Sequence, residues 1–181
     1  MAKKATYGNE SIKSLRGADR VRKRPAVIFG SDGVEGCEHS IFEIMSNSID
    51  EAREGRGNRI VVTRYLDGSY EVQDFGSGIP VDYNKYDNAG GAGSYEFSLG
   101  LNGLGLCATQ YASEYMDAEI HRDGYCYTLH FEKGENIGGL HKEPYHKRDT
   151  GSRIRWKPDI QVFTDINIPR DWFVSTMKRQ A

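Results

Sequence analysis

At 181 residues, 38% hydrophobic and 28% charged, the chain is sized for one soluble domain with a full core, and no apolar run approaches membrane-spanning length. A net charge of −2 and a pI near 6.2 exclude an overall basic footprint for nucleic acid, and Met1-Ala-Lys-Lys4 is not followed by a signal-peptide core. Three cysteines (Cys37, Cys107, Cys126), odd in number and without Cys-x-x-Cys, fit reduced thiols in a cytoplasmic protein, and the five histidines show no zinc spacing.

Residues 1–10 are polar and read as an arm, with Tyr7 able to anchor it against a surface. Ser11 to Arg24 reads as a short helix stopped by Pro25, with Leu15, Ala18 and Val21 inward. Its basic run, Arg20, Arg22, Lys23 and Arg24, reads as a solvated helix end. An apolar run from Ala26 to Phe29 ends at Gly30 and a Ser31-Asp32-Gly33 turn.

The helix predicted from Glu38 to Arg53, closed by Gly55 and Gly57, organises the rest. Ile41, Ile44, Met45, Ile49 and Ala52 share one side. Glu43, Asn47, Asp50 and Glu54 fall within about 60° of each other on the opposite side. A solvated face accounts for that stripe on the helix alone. It has no Lys or Arg partner at sequence level, however, and its residue types suit one general base beside one neutral oxygen ligand for a hard cation.

Strand-like segments Arg59–Leu66 and Ser69–Phe75 flank Asp67-Gly68, a hairpin signal. From Val81 to Gly93 the chain reads as loop. Gly100-Leu-Asn-Gly-Leu-Gly105 opens a helix through about Tyr115, and a second hairpin folds at Asp123-Gly124 between Ala118–Arg122 and Tyr125–Glu132. A polar loop carrying His141 and His146 leads to Thr150-Gly-Ser152, a strand over Arg153–Trp156 and a last helix begun by Pro169. The pattern predicts an α+β two-layer sandwich, a largely antiparallel mixed sheet with helices on one face.

Three further stretches carry chemistry. Asp74-x-Gly76-x-Gly78 follows a strand, where glycines admit close approach and a carboxylate needs donors; an adenine amine is one such donor. Gly100-x-Asn102-Gly103-x-Gly105 before a helix has the form of a phosphate cradle, or of a plain connection. Scanned as a dinucleotide fingerprint it lacks the buried parallel strand in front. Thr150-Gly-Ser152 reads locally as turn residues.

In this order, Glu-x-x-x-Asn, Asp-x-Gly-x-Gly, Gly-x-Asn-Gly-x-Gly and Thr-Gly-Ser, the chain resembles the ATPase superfamily shared by gyrase, Hsp90, histidine kinases and MutL, with its Bergerat-type fold. Arg22-Lys-Arg-Pro25, Asn47-Ser-Ile-Asp-Glu-Ala52, Gly78-Ile-Pro80 and Thr150-Gly-Ser…Trp-Lys-Pro158 look like the B subunits of bacterial type II topoisomerases, the gyrase kind before the topoisomerase IV kind. The likeness runs from about Tyr7 to Ala181.

The resemblance implies Glu43 as the general base on the attacking water, Asn47 as a ligand of Mg2+, and Asp74 as acceptor of the adenine amine, directly and through a water shared with Ser152. It implies Asn102, Gly103, Leu104 and Gly105 against the ATP phosphates, with Asp50, Gly76, Gly78, Ile79 and Pro80 also lining the site. Tyr7 lies on the arm that enters a second B subunit's nucleotide site in ATP-dependent dimers. The gyrase A protein and DNA are partners through the full-length protein, adenine-site inhibitors are ligands, and no membrane is involved. Such a site works by positioning and charge neutralisation.

Relatives carry a longer lid segment; here nineteen residues, Val81 to Leu99, separate Pro80 from Gly100, and Ala89-Gly-Gly91 is followed by Ala92 rather than Lys. Ser77 stands where many relatives have Arg, and Ser152 where many have Thr. The reading is a single ATPase domain over 1–181 with a shortened lid at about 81–99 and no second, transducer domain. A histidine-kinase-type transferase and a MutL-like ATP-dependent clamp are the other functions considered; the chain has no preceding acceptor-His segment, and Arg-Lys-Arg-Pro disfavours the clamp.

Overall fold

The computed structural model describes residues 17–81 and 104–181. The predicted start of the first helix, the 81–99 segment after Val81, Tyr7, Asn102 and Gly103 lie outside the described residues.

Five helices and seven strands follow along the described chain: α1 (Gly17–Lys23), α2 (Pro25–Phe29), α3 (Val34–Arg53), β1 (Ile60–Arg64), β2 (Tyr70–Asp74), α4 (Leu104–Tyr111), β3 (Ser113–Arg122), β4 (Tyr125–Glu132), β5 (Glu135–Asn136), β6 (His141–Pro144), β7 (Gly151–Pro158) and α5 (Arg170–Gln180). The strands form one sheet in the order β1-β2-β7-β3-β4-β5, with β6 also on β4, and every pairing is antiparallel.

Period-2 alternation decides which face of this sheet is covered. Tyr70, Val72, Met116, Ala118, Ile120, Leu129, Phe131, Ile154 and Trp156 are buried on the inner face, where α3 supplies Cys37, Ile41, Ile44, Met45 and Ile49. The outer face carries Glu71, Arg153, Arg155, Asp117, Glu119 and His130, joined by ion pairs such as Arg155–Asp67 at 3.0 Å and Arg153–Glu119 at 2.5 Å. The indole Nε1 of Trp156 donates to the Thr109 carbonyl (3.1 Å), which ties the central strand to α4.

Both hairpins fold where expected. Asp123 and Gly124 each take positive φ (53° and 78°), the pair of left-handed residues that a two-residue loop matching strand twist requires. Several predicted bounds differ, among them β3, which starts at Ser113 rather than Ala118, and β7, which spans Gly151–Pro158 rather than 153–156. Pro25 starts α2 rather than merely ending α1, because its fixed φ and missing N–H suit the first helical position. The α3 helix begins at Val34, four residues early. The α4 helix ends at Tyr111 rather than Tyr115, because Ser113 and Tyr115 pair with Pro158 and Lys157 in the sheet. The polar loop contains β6, which hydrogen-bonds to the edge of β4 with all four residues exposed.

The basic run is not simply a solvated end. The Arg22 guanidinium donates to the carbonyls of Tyr111 (3.1 Å) and Ser113 (3.2 Å) and to Asp159 (2.5 Å), whose side chain is 4% exposed. Tertiary contact thus claims one arginine of that run, and it joins α1 to the α4–β3 corner and the end of β7.

Candidate functional site

Asp74 ends β2 beneath the helical layer, 6% exposed. Its Oδ2 accepts from the Ser48 hydroxyl (2.9 Å), and its Oδ1 accepts from the backbone N–H groups of Gly76 (3.0 Å) and Ser152 (3.1 Å). An ionised carboxylate has about four acceptor positions, so capacity for one further donor remains on Oδ2. Ser152 continues the network: its hydroxyl accepts from the Ile79 N–H (2.9 Å). The Gly76 carbonyl accepts from Thr150 Oγ1 (2.6 Å). Asp74, Gly76, Gly78, Ile79 and Ser152 are therefore brought together, while Pro80 is exposed beside them.

Two glycines allow this closeness. Gly151 has φ +140°, and a Cβ there would meet the Asp74 carbonyl. Gly78 has φ +81°, and a Cβ there would lie 2.8 Å from the His121 carbonyl.

On α3, Ser48 faces Asp74, and Glu43 lies one turn and more toward the N-terminus. The Glu43 carboxylate lies against Gly105 in the first turn of α4, close enough that any Cβ at residue 105 would overlap it. His39 Nε2 lies 3.1 Å from Glu43 Oε1. The Asn47 amide nitrogen donates to the Glu43 carbonyl (3.2 Å), which commits its donor end to the helix and leaves its oxygen end for another partner. Leu104 and Gly105 place a helix N-terminus beside the Glu43 carboxylate, a location of positive potential.

Asp50 does not join the cluster. It is exposed and pairs with Arg53 at 3.7 Å, because it shares the Glu43 face of α3 but sits about two turns further along the helix, toward its open end. Glu51 contacts the glycine loop in its place: its Oε2 accepts from Ser77 N–H (3.0 Å) and Oγ (2.6 Å). The polar stripe also has partners that sequence reasoning does not supply, since His39 pairs with Glu43, Arg53 with Asp50 and Arg56 with Glu54. Ser48, Glu51, Thr150 and Arg122, whose Nη1 donates to the Gly78 carbonyl (2.7 Å), are site residues that the sequence does not single out. Ser48 and Glu51 carry a signal in their place in the Asn47–Ala52 motif and Thr150 in the Thr150-Gly-Ser152 motif, whereas Arg122 carries none.

A magnesium ion is compatible with one neutral oxygen from Asn47. Among the described residues no group of three or more His, Cys, Asp or Glu could hold a metal, so phosphate oxygens and water would supply the remaining ligands.

No known family profile matches the chain. A DNA gyrase B subunit from Thermotoga maritima is 36% identical over 181 aligned residues, 91% of this chain and 28% of that protein. A DNA topoisomerase 4 B subunit from Staphylococcus aureus is 38% identical over 178, 90% of this chain and 27% of that protein. The crystal structure of the 43K ATPase domain of Thermus thermophilus gyrase B, in complex with an aminocoumarin, superposes with a TM-score of 0.80 at 32% identity, over 94% of this chain and 47% of that one. Over nine tenths of its length the chain is similar to the B subunits of bacterial type II topoisomerases. It spans about a quarter of the length of the topoisomerase subunits it matches. The α+β fold with one covered sheet face is the fold of the gyrase B ATPase domain.

Proposed function

We propose that this chain is the ATP-binding and hydrolysing domain of a type II topoisomerase B subunit, of the gyrase kind, whose nucleotide cycle drives DNA supercoiling. The observation that carries the reading is Asp74: a buried carboxylate at a strand end, oriented by Ser48, Gly76 and Ser152, with capacity for one more donor. An adenine amine fits that remaining acceptor, and the glycines on either side admit a flat ring. The matched relatives include B subunits of both gyrase and topoisomerase IV, and the activity they share by this reading is ATP-driven strand passage.

Within the proposal Glu43 takes the proton of the attacking water. Its position against Gly105 sets that carboxylate at the head of α4, where Leu104 and Gly105 offer amides to the triphosphate; Asn102 and Gly103 are assigned to the same phosphates. His39 orients Glu43 from the preceding helical turn. Asn47 holds Mg2+, which when bound neutralises phosphate charge. Ser152 and Asp74 share the water beside the base, and Ile79 and Pro80 line its rim. The domain is one unit over 1–181 with a shortened lid near 81–99. Tyr7 reaches the second B subunit on ATP-dependent dimerisation, and the gyrase A protein and DNA engage through the full-length protein. Aminocoumarins and other adenine-site inhibitors compete for the Asp74 pocket, consistent with the aminocoumarin held by the Thermus thermophilus relative. No helix among the described residues is long and apolar enough to cross a membrane.

Calorimetry with a non-hydrolysable ATP analogue, with and without Mg2+, tests the function. Binding that Mg2+ strengthens, and that Asn47→Ala makes indifferent to Mg2+, is the expected result. A chain that binds the analogue under neither condition overturns the reading.

A further inference from the structure

We infer that Arg56 is a positioning residue for the base-binding loop, acting through Glu51 and Ser77; the inference rests on the nucleotide reading of the Asp74 pocket. Glu51 divides its carboxylate between two tasks. Oε2 takes the N–H and hydroxyl of Ser77, at 3.0 and 2.6 Å. Oε1 takes the Arg56 Nη2 at 2.8 Å, and Arg56 Nε lies 3.1 Å from both oxygens.

The consequence falls on one peptide group. The peptide between Gly76 and Ser77 has its N–H held by Glu51 and its carbonyl held by Thr150 Oγ1 at 2.6 Å. Holding that plane constrains the adjoining peptide, whose Gly76 N–H donates to Asp74, and two residues on the Gly78 carbonyl is held separately by Arg122. The acceptor that faces the adenine amine is thus aimed by a chain of bonds that begins at Arg56.

The backbone around Arg56 is shaped for the same task. A Cβ on Gly57 (φ +81°) would lie 2.9 Å from the Phe75 carbonyl group and 3.0 Å from Gly76 N, and a Cβ on Gly76 would lie 3.2 Å from the Arg56 carbonyl. The 56–57 backbone therefore lies flat on 75–76 with no side chain between them. Arg59 adds a guanidinium 5.3 Å from the Phe75 ring centroid on the same loop. Arg56 also pairs with Glu54. An arginine that merely decorated a helix end would not sit behind a binding loop with its backbone in contact.

Charge explains why an arginine is used. Both Ser77 donors converge on one carboxylate oxygen, and Arg56, the largest influence, with Ser77 holds the Glu51 carboxyl down at about 2. The planar fork reaches both oxygens at once, which a lysine ammonium does less well.

The test compares the unmodified chain with Arg56→Ala, Arg56→Lys, Ser77→Ala and, as a control, Arg53→Ala, whose guanidinium pairs with Asp50 at the solvent side. Calorimetry measures ADP and a non-hydrolysable ATP analogue, each with and without Mg2+, beside thermal melting. Arg56→Ala weakens both nucleotides by the same factor, about three- to tenfold, the range for one lost hydrogen bond. The factor is independent of Mg2+, because the loss sits at the base and not at the phosphates. Arg56→Lys restores part of it, and Ser77→Ala, which leaves every charge in place, shows a smaller loss of the same kind. Melting of Arg56→Ala stays with the Arg53→Ala control, as expected for a half-exposed pair. Unchanged affinity in Arg56→Ala, or a loss confined to the triphosphate, overturns the assignment while leaving the proposed function standing. An unmodified chain that binds neither nucleotide overturns both.

Discussion

The Glu43 carboxylate occupies the space where a side chain at Gly105 would begin. Alanine at an interior helical position ordinarily stabilises relative to glycine by up to about 1 kcal/mol. Here the sign reverses: Gly105→Ala drives a methyl into the carboxylate, and overpacking of that kind costs about 1–3 kcal/mol. The variant is expected to melt lower than the unmodified chain and to lose turnover, since Glu43 must rotate away from the head of α4. Paired melting and phosphate-release measurements check this, and a stabilised, fully active variant would refute the contact.

The same relationship marks the border of what sequence alone can supply. Glu43 and Gly105 are each legible, one from a helical stripe and one from a glycine run, but nothing local says that they touch. The second hairpin is legible because Asp123-Gly124 encodes its turn in two residues; the first turns over Leu66, Asp67 and Gly68, where Gly68 alone supplies the positive φ. Sequence reasoning fails where tertiary partners override local preference. Ser113 and Tyr115 look helical until β7 claims them, and β6 has no apolar alternation because both its faces are exposed. Glu51, which reaches the glycine loop, stands one residue and about 100° of rotation from Asp50 on α3. Glu51's true partners, Ser77 and Arg56, lie 26 and five positions away.

Glu43→Ala is expected to separate binding from chemistry. Nucleotide affinity stays near that of the unmodified chain, while hydrolysis falls roughly 10²–10⁴-fold for a lost general base. His39→Ala, which removes only the partner 3.1 Å from Oε1, lowers turnover less and leaves affinity unchanged. Single-turnover hydrolysis in the full-length protein measures both. Normal turnover in Glu43→Ala would return the stripe to a solvated helix face.

Asp74→Ala removes an acceptor that serves ligand and fold together. Loss of nucleotide binding by about 1–3 kcal/mol is expected from the missing adenine acceptor. Stability also falls, because the Ser48 hydroxyl and the N–H groups of Gly76 and Ser152 are left buried with one acceptor fewer. Asp74→Asn keeps one oxygen and recovers part of both. Calorimetry and denaturant titration together distinguish this from a purely structural carboxylate, for which nucleotide and inhibitor affinity would be untouched.

On the outer sheet face, the hydrogen bond between Asp117 and His130 (2.6 Å) raises the imidazole above its ordinary value, with Glu132 at 3.3 Å adding to it. A raised folded value means that the protonated form is the one the fold prefers. Its contribution is fully present below about 6.5, the unfolded value, and is lost as pH rises through the raised folded value. The ring is substantially exposed, so the effect is small. Melting curves across that interval should show a decline that His130→Gln abolishes; an unchanged pH dependence in His130→Gln would assign the decline to other groups.

Arg22 supplies the largest expected effect on folding. Its guanidinium satisfies two backbone carbonyls at the α4–β3 corner and pairs with Asp159, whose carboxylate is almost wholly buried. Asp159 has a second duty, accepting from the Gln161 N–H at 2.8 Å, so it cannot turn away to solvent. Arg22→Ala leaves that charge buried without its cation, a change that costs about 3–5 kcal/mol. Arg22→Lys recovers only part, because one ammonium cannot reproduce the planar donors that face the Tyr111 and Ser113 carbonyls together. Lys23→Ala, next to it but exposed, should fall within about 0.5 kcal/mol of the unmodified chain, as surface changes do. Denaturant titration of the three variants decides between a buried tie and a solvated helix end: equal effects at positions 22 and 23 would favour the helix end. Adding Asp159→Asn to Arg22→Ala should return part of the lost stability by removing the uncompensated charge, and failure to do so would place the cost of Arg22→Ala in the lost carbonyl contacts instead.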